Sequence, residues 1–341
     1  MPPKSKPVDG YKKVAEAIKA GQVGTFYIFH GEERYLLEHN LFAIRGYCCP
    51  DGLDAFNYKR FEGANVSFDD LEDAVNTLPA FAERTLLEVH DLDVFNSSMK
   101  PEICDLVSDL PEYICFVLVF DTVPFKPDGR VKTDKEILKY AEVIDFAVQR
   151  QDNLVQWIRR HFTNAGKSIS NSDAEYLVLI TGGEMSALIN EIGKVTAYAL
   201  GNIITRADID AVVSPILDTV AYKLTDALVR REHAYAMRIL DELLQMREAP
   251  HKLIYSISLK MRQLLAARVC IESKSGRNSL IEMCDIRHEF QAKLLLDTAR
   301  KTTLKNCADA VLLCAQTAHE LNSSPEPAAR LTELIAKLAF V

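Results

Sequence analysis

An α/β region followed by an all-α carboxy-terminal region is the fold class predicted here, and three observations predict it. Over residues 1–148, short β-rich apolar runs alternate with amphipathic helical segments, the pattern of a mainly parallel sheet with crossover helices. From Asp152 onward the strand signal vanishes and the apolar residues recur at helical spacing. At 341 residues, the chain is longer than the roughly 250–300 at which one hydrophobic core stops growing, so two or three domains are expected.

The elements follow in order. Tyr11–Gly21 is predicted as a helix capped by Asp9. Thr25–His30 is a short β-rich run, and Glu33–Cys48 is helical, with Tyr35, Leu36 and Leu37 as an apolar clump. Phe56–Phe61 is predicted as a second strand. Ser67-Phe-Asp-Asp70 opens a helix, with Ser67 as cap and acids in the first turn. Thr85–Val89, Tyr113–Phe120 and Val143–Val148 read as strands, with a helix at Lys132–Tyr140 before the last.

Leu154–Ala165, Asp173–Ile180, Glu184–Leu200 and Thr205–Val213 are predicted helices. Thr181-Gly-Gly183 separates the second from the third, because glycines end a helix at little cost. After Ser214–Pro215 come long amphipathic segments: Asp218–Val229, Ala234–Met246, Lys252–Ser273, His288–Arg300, Leu304–Leu321 and Ala328–Phe340. The expected division is an α/β domain over 1–148, a small helical domain over 149–215 and a helical bundle over 216–341.

Composition excludes several classes. With 48% hydrophobic and 26% charged residues, the chain has ordinary globular composition and no disorder signature. No apolar run reaches the roughly 18 residues needed to span a bilayer. Residues Met1 to Asp9 carry Lys4 and Lys6 but no apolar core, so they do not form a secretory signal. A soluble, cytoplasmic protein with no membrane partner is expected. The formal net charge of −8 argues against a strong stand-alone grip on DNA phosphates, which a basic excess normally supplies.

The eight cysteines, Cys48, Cys49, Cys104, Cys115, Cys270, Cys284, Cys307 and Cys314, have no zinc-ribbon spacing and no histidine pair at finger spacing. They read as buried thiols, and no metal site is expected. No Cys–His or Ser–His pair suggests a nucleophile, so no catalytic residue is assigned.

The domain order resembles the layout of AAA+ proteins, in which a phosphate-binding loop follows the first strand. Such a loop needs glycine-rich amides, a Lys for the β- and γ-phosphates and a Ser or Thr for magnesium. Here the junction reads His30-Gly31-Glu32-Glu33-Arg34-Tyr35-Leu36. One glycine remains, the Lys and hydroxyl are missing, and Glu32 and Glu33 would repel a polyphosphate. Gly31, Glu32 and Glu33 therefore mark a degenerate loop, and no nucleotide cofactor is expected. Tyr113–Phe120 followed by Asp121 resembles a Walker B strand without an adjoining Glu, or simply a buried central strand ending in a polar turn. No Ser-Arg-Cys arginine-finger motif occurs.

Several segments together resemble the delta subunit family of bacterial DNA polymerase III clamp loaders. Thr25-Phe-Tyr-Ile-Phe-His-Gly-Glu-Glu-Arg-Tyr-Leu-Leu37 is similar to that family's degenerate phosphate-loop region. Leu78-Pro-Ala-Phe-Ala-Glu-Arg-Thr-Leu-Leu-Glu-Val89 resembles its clamp-binding element. Thr181–Ile192 is similar to its second-domain signature, a glycine break before a helix carrying Leu188, Glu191 and Lys194. Tyr222–Leu228, Ala236–Leu244 and Ala249–Ile254 resemble the start of its collar domain. The resemblance spans essentially the whole chain, and its force lies in the order and spacing of motifs that are individually weak.

The resemblance implies a fold with an AAA+-like amino-terminal domain, a helical lid and a helical collar. It implies clamp binding through Leu78, Pro79, Ala80 and Phe81, with Pro79 stiffening the approach and Phe81 as aromatic anchor. It implies partners: the beta sliding clamp, the gamma/tau and delta prime subunits in a hetero-pentamer, and primed DNA within that complex. It also implies a chain that does not hydrolyse ATP itself. Many relatives have a second large aliphatic beside the Phe; this chain has Ala80, so that either Leu78 takes that role or the contact is weaker here. The residues themselves also admit a core reading, in which Leu78, Phe81, Leu86 and Leu87 are all interior, and Arg84 reads as a solvated surface charge. Other candidates are a delta-prime-like or other non-catalytic AAA+ adaptor, and an active ATPase or helicase loader, which the missing Lys and hydroxyl oppose. Arg230, Arg231, Lys260, Arg262 and Arg268 read as solvated helix faces or as a surface toward DNA or neighbouring subunits. Trp157, Leu154, Ile158 and Phe162 form a helix stripe suited to core packing.

Overall fold

The computed structural model describes residues 10–245, 248–286, 289–322 and 326–339, which fall into two compact units, Met1–Val148 and Gln149–Val341. Asp9, Lys4, Lys6 and the expected helix ends at Met246, His288 and Phe340 lie outside the described residues.

The first unit contains α1 (Gly10–Ala20), β1 (Phe26–His30), α2 (Arg34–Cys48), α3 (Asp54–Asn57), β2 (Tyr58–Glu62), α4 (Phe68–Asn76), β3 (Thr85–His90), α5 (Lys100–Ser108), β4 (Ile114–Phe120), α6 (Lys132–Tyr140) and β5 (Glu142–Asp145). Its five strands form one sheet in the order β2-β3-β4-β1-β5, with every pairing parallel. The predicted α/β fold is what the structure contains. Both faces of the sheet are covered, which explains the continuous apolar runs of β1 and β4. Phe26, Ile28, Leu87, Val89, Ile114, Phe116, Leu118 and Phe120 pack in one cluster with Leu71 and Val75 of α4, Ile103 and Val107 of α5 and Ile137 of α6. The alternate positions Tyr27, Phe29, Leu86, Cys115 and Val117 are fully buried as well, as a period of two requires when neither face meets water.

Ser67 caps α4 as the sequence predicts, accepting from the Asp70 amide while Asp70 accepts from the Ser67 amide. The second predicted strand is corrected: Phe56 and Asn57 lie in α3, and the strand begins at Tyr58. The aromatic at Phe56 fitted a strand pattern, but Asn57 and Phe56 donate their amides to Leu53 O at 3.1 Å each, closing a helical turn instead. Helix α5, which follows Ser97 and Ser98 and carries Pro101 in its first turn, was not anticipated.

The second unit holds α7 (Gln151–Asn164), β6 (Ser168–Ile169), α8 (Asn171–Thr181), α9 (Met185–Tyr198), β7 (Ile203–Ile204), α10 (Arg206–Val212), α11 (Leu217–Val229), α12 (His233–Gln245), α13 (Pro250–Glu272), α14 (Gly276–Cys284), α15 (Glu289–Ala299), α16 (Leu304–Leu321) and α17 (Pro327–Leu338). The expectation that strands cease after Asp152 is overturned: β6 and β7 pair in parallel. At two residues each they are too short to leave an alternating pattern, although Ile169 and Ile204 are buried. The stripe Leu154, Ile158 and Phe162 is fully buried. Gly182 ends α8 in the left-handed region at φ 81°, the conformation a glycine adopts without a Cβ penalty. Ile216 N–H donates to Ile180 O at 2.9 Å and the Thr219 hydroxyl to Leu179 O at 2.8 Å, joining α11 to the end of α8. The predicted boundary near Pro215 thus falls inside this unit.

Helix α13 is the spine of the carboxy-terminal bundle, burying Leu253, Ile257, Met261 and Leu264 on its neighbours. The basic cluster resolves into separate environments rather than one surface. Lys260 is 6% exposed and donates to Asp218 at 2.7 Å and to Gln263 at 3.0 Å. A solvated-face reading fails for it, because the apolar residues on either side carry this stretch of α13 inside. Arg230 pairs with Asp226 at 2.7 Å and Arg268 with Glu272 at 3.1 Å. All eight cysteines are free thiols, and only Cys284 is not buried. No helix among the described residues is long and apolar enough to cross a membrane.

The α4 cap generates a pH prediction. Hydrogen bonds from the Ser67 hydroxyl and amide hold the Asp70 carboxyl below its ordinary value. A depressed folded value gives stability that is present above the unfolded carboxylate range, around pH 4, and lost as pH falls through the folded value. Ser67→Ala should lower the urea midpoint at neutral pH, and its deficit against the parent chain should shrink below about pH 4; denaturation at the two pH values checks this.

Candidate functional site

In a parallel sheet every strand starts at one edge and ends at the opposite one, so the two candidate regions fall at opposite edges. Gly31, Glu32 and Glu33 follow β1 at the carboxyl edge. Leu78, Pro79, Ala80 and Phe81 precede β3 at the amino edge, in a segment with no helix or strand of its own.

At the carboxyl edge the backbone is already engaged. The Glu33 amide donates to Phe146 O at 2.8 Å, and the Phe146 amide donates to His30 O at 2.7 Å. Gly31 sits at φ 127°, and a Cβ there would come within 2.5 Å of Phe146 O. The one glycine left in the loop is thus required by close backbone contact. Arg34 is ion-paired with Asp121, the residue that follows β4. Asp91 accepts from the amides of Asp121, Thr122 and Val123 and from the Thr122 hydroxyl, at 2.7–3.1 Å. Burial works to raise the Asp91 carboxyl, but the Thr122 hydroxyl and these amides outweigh it and hold it below its usual range. His30 stacks on Phe125 at 4.1 Å, and burial keeps its imidazole below its ordinary value despite Asp145 at 3.7 Å. At this edge Glu33 is buried and the Arg34 guanidinium is already paired.

At the amino edge the arrangement is the reverse, with apolar side chains presented outward on a polar scaffold. Phe81 is 89% exposed and Leu78 is 70% exposed, whereas Leu86 and Leu87 are fully buried. The reading that all four are interior is corrected: the buried set starts with the strand, and the loop before it faces water. Phe81 also has φ 58°, a left-handed conformation that costs an aromatic residue roughly 1–2 kcal/mol.

What holds the loop is Asn57. Its side chain is fully buried; Oδ1 accepts from the Ala80 amide at 2.7 Å and Nδ2 donates to Ala80 O at 2.8 Å. The two bonds fix the peptide units next to Phe81 as a β-ladder partner would. The loop is also held at its ends. Lys59 donates to the Thr77 hydroxyl at 2.8 Å, which donates in turn to Asp73 O at 2.6 Å. Arg84 donates to Val23 O, to Gly24 O at 3.1 Å and to Ile114 O at 3.0 Å. Arg84 is therefore not a solvated charge: the carbonyls entering β1 and β4 surround it, and they offer no positive competitor.

The base under Asn57 is α3. Arg45 of α2 bonds Asp54 at 2.8 Å and lies 3.9 Å above the Tyr58 ring. The Tyr58 hydroxyl donates to Glu88 at 3.0 Å, and burial together with that carboxylate pushes it up to about 12. Phe56, 57% exposed, stands edge-on to Phe81 with ring centroids 6.4 Å apart. Sequence reading missed Phe56 and Asn57 as parts of this site. Their only signal is an aromatic–amide pair just ahead of a strand, which reads equally well as strand start and turn.

Family models match segments in both units of the chain. The family model for the DNA polymerase III delta subunit matches residues 27–147, and that for its carboxy-terminal domain matches residues 218–337. The chain belongs to the DNA polymerase III delta subunit family. It is 27% identical over 298 residues to the Bacillus subtilis DNA polymerase III subunit delta, covering 84% of each chain. It is 20% identical over 293 residues to a probable DNA polymerase III subunit delta of Aquifex aeolicus, covering 82% of each. The solved structure of the Bacillus subtilis DNA clamp loader delta protein matches with a TM-score of 0.70 at 22% identity, over 97% of this chain and 100% of that one. In this delta-family chain Leu188 is buried in the core, and Lys194 pairs with Glu191 at 2.6 Å.

Two stability predictions follow from the two edges. Asn57→Ala should cost about 1–3 kcal/mol, because it leaves the Ala80 amide and carbonyl without their partner; urea denaturation measures the loss, and hydrogen exchange should quicken at the Ala80 amide. Gly31→Ala should cost about 2 kcal/mol or more, from a strained φ and the clash with Phe146, and should lower the denaturation midpoint without changing the slope.

Proposed function

We propose that this chain is the delta subunit of a bacterial DNA polymerase III clamp loader, which binds and opens the beta sliding clamp without hydrolysing ATP. The observation that carries the reading is the presentation of Leu78 and Phe81 in solvent on a loop held by buried polar contacts, in a member of the delta family. An apolar aromatic left in water on a rigid mount is what a protein-docking site requires.

The mechanism is mechanical. Residues 216–341 form a collar that assembles with gamma/tau and delta prime subunits into a hetero-pentamer, and residues 149–215 form a small helical lid domain. ATP binding by those partners frees residues 1–148 to meet the clamp. Leu78, Pro79, Ala80 and Phe81 then enter an apolar pocket on the ring. Binding shifts the clamp toward its open form only as far as its affinity for the open form exceeds that for the closed one. The opened ring is passed to primed DNA in the cytoplasm, and hydrolysis by the partner subunits releases it. The chain's net charge of −8 suits a protein that meets DNA only within the complex. Gly31, Glu32 and Glu33 contribute no nucleotide site, since Glu33's amide and Arg34's guanidinium are committed to Phe146 and Asp121.

The test is clamp capture by the full chain. The parent chain should bind purified beta clamp, and Phe81→Ala should weaken binding by about tenfold or more, as loss of a buried aromatic anchor does. The same preparation should give no binding signal with a fluorescent ATP analogue. Turnover of ATP by the purified chain, or full clamp affinity in the Phe81→Ala variant, would sink the proposal.

A further inference from the structure

We propose that Phe56 is a second aromatic anchor of this docking surface, entering the partner ring beside Phe81; the proposal rests on the clamp-binding reading above. Phe56 reaches the surface from a different segment, the turn of α3, yet it is 57% exposed and meets Phe81 edge-on, 6.4 Å between centroids and 79° between planes. With Leu78 also 70% exposed, the amino edge of the sheet presents three large apolar side chains. Scattered single apolar residues are ordinary on a surface, whereas aromatic rings in contact with one another make a patch.

The spacing of the two rings is set before any partner arrives. Asn57 adjoins Phe56 in the chain, Ala80 adjoins Phe81, and the Asn57 carboxamide is bonded to both polar groups of Ala80. The Arg45–Asp54 pair at 2.8 Å fixes the start of α3. A preorganised pair loses little conformational entropy on docking, so more of its burial appears as affinity. The occupant that fits is an apolar pocket on the clamp wide enough for two rings set at right angles.

The experiment measures clamp affinity of the full chain by surface plasmon resonance for the parent, Phe56→Ala, Phe56→Leu and Phe81→Ala. Phe56→Ala should weaken capture about tenfold, and Phe56→Leu, which keeps apolar bulk, should stay within about threefold of the parent. Thermal midpoints should match the parent for both Phe56 variants, since the ring lies mostly in water. To separate contact from mere support of Phe81, Phe56→Ala is also measured in a Phe81→Leu background. A further loss there supports direct contact, and no further loss overturns it. Parent-like affinity of Phe56→Ala alongside a weakened Phe81→Ala refutes the second anchor and leaves the clamp reading standing. If the parent chain captures no clamp, the clamp reading itself falls.

Discussion

The loop at the amino edge of the sheet takes its shape from one buried carboxamide. Residues 77–84 have no regular backbone pairing of their own, and Phe81 adopts a left-handed conformation that an aromatic side chain normally avoids. Asn57 compensates by satisfying both polar groups of Ala80. Two hydrogen bonds of about 1 kcal/mol each are comparable to a strain of 1–2 kcal/mol. The balance holds only because Asn57 is shielded from water, which would otherwise compete for the same donors and acceptors.

The two edges of the same sheet have opposite characters. At the carboxyl edge, polar groups are turned inward on one another: Arg34 on Asp121, Asp91 on three successive amides, Glu33's amide on Phe146. That edge is where α/β sheets ordinarily receive ligands, and here its donors are spent within the chain. At the amino edge the polar groups are also consumed internally, but in the service of holding apolar rings outward. A fold shared with ligand-binding sheets thus presents exposed aromatic rings at the opposite edge.

Much of the architecture was legible because burial on both faces leaves strong traces. The runs Phe26–His30 and Ile114–Phe120 read as strands, and Ser67 with Asp70 announced a helix start that the capping box bears out. The nine-residue helices α5 and α14 escaped, and the other misses were short or non-local. Strands β6 and β7 have two residues each, below any periodic signal, and α3 is a single turn whose Phe56 passes for a strand residue. The site was legible in part: Leu78 to Phe81 stood out by resemblance, but whether Phe81 faced the core or water depends on Asn57, 23 positions away from Ala80. Arg84 was misread for the same reason, since its carbonyl partners lie 30 to 61 positions distant.

Arg84 links the rim of the molecule to its centre. By bonding carbonyls at the start of β1 and β4, it ties the root of the exposed loop to two strands besides its own. Tension applied at the tip is then shared by three strands whose backbone bonds lie across the pull, and does not simply peel one segment away. A loop rooted this way is braced at its base by the entries to two neighbouring strands.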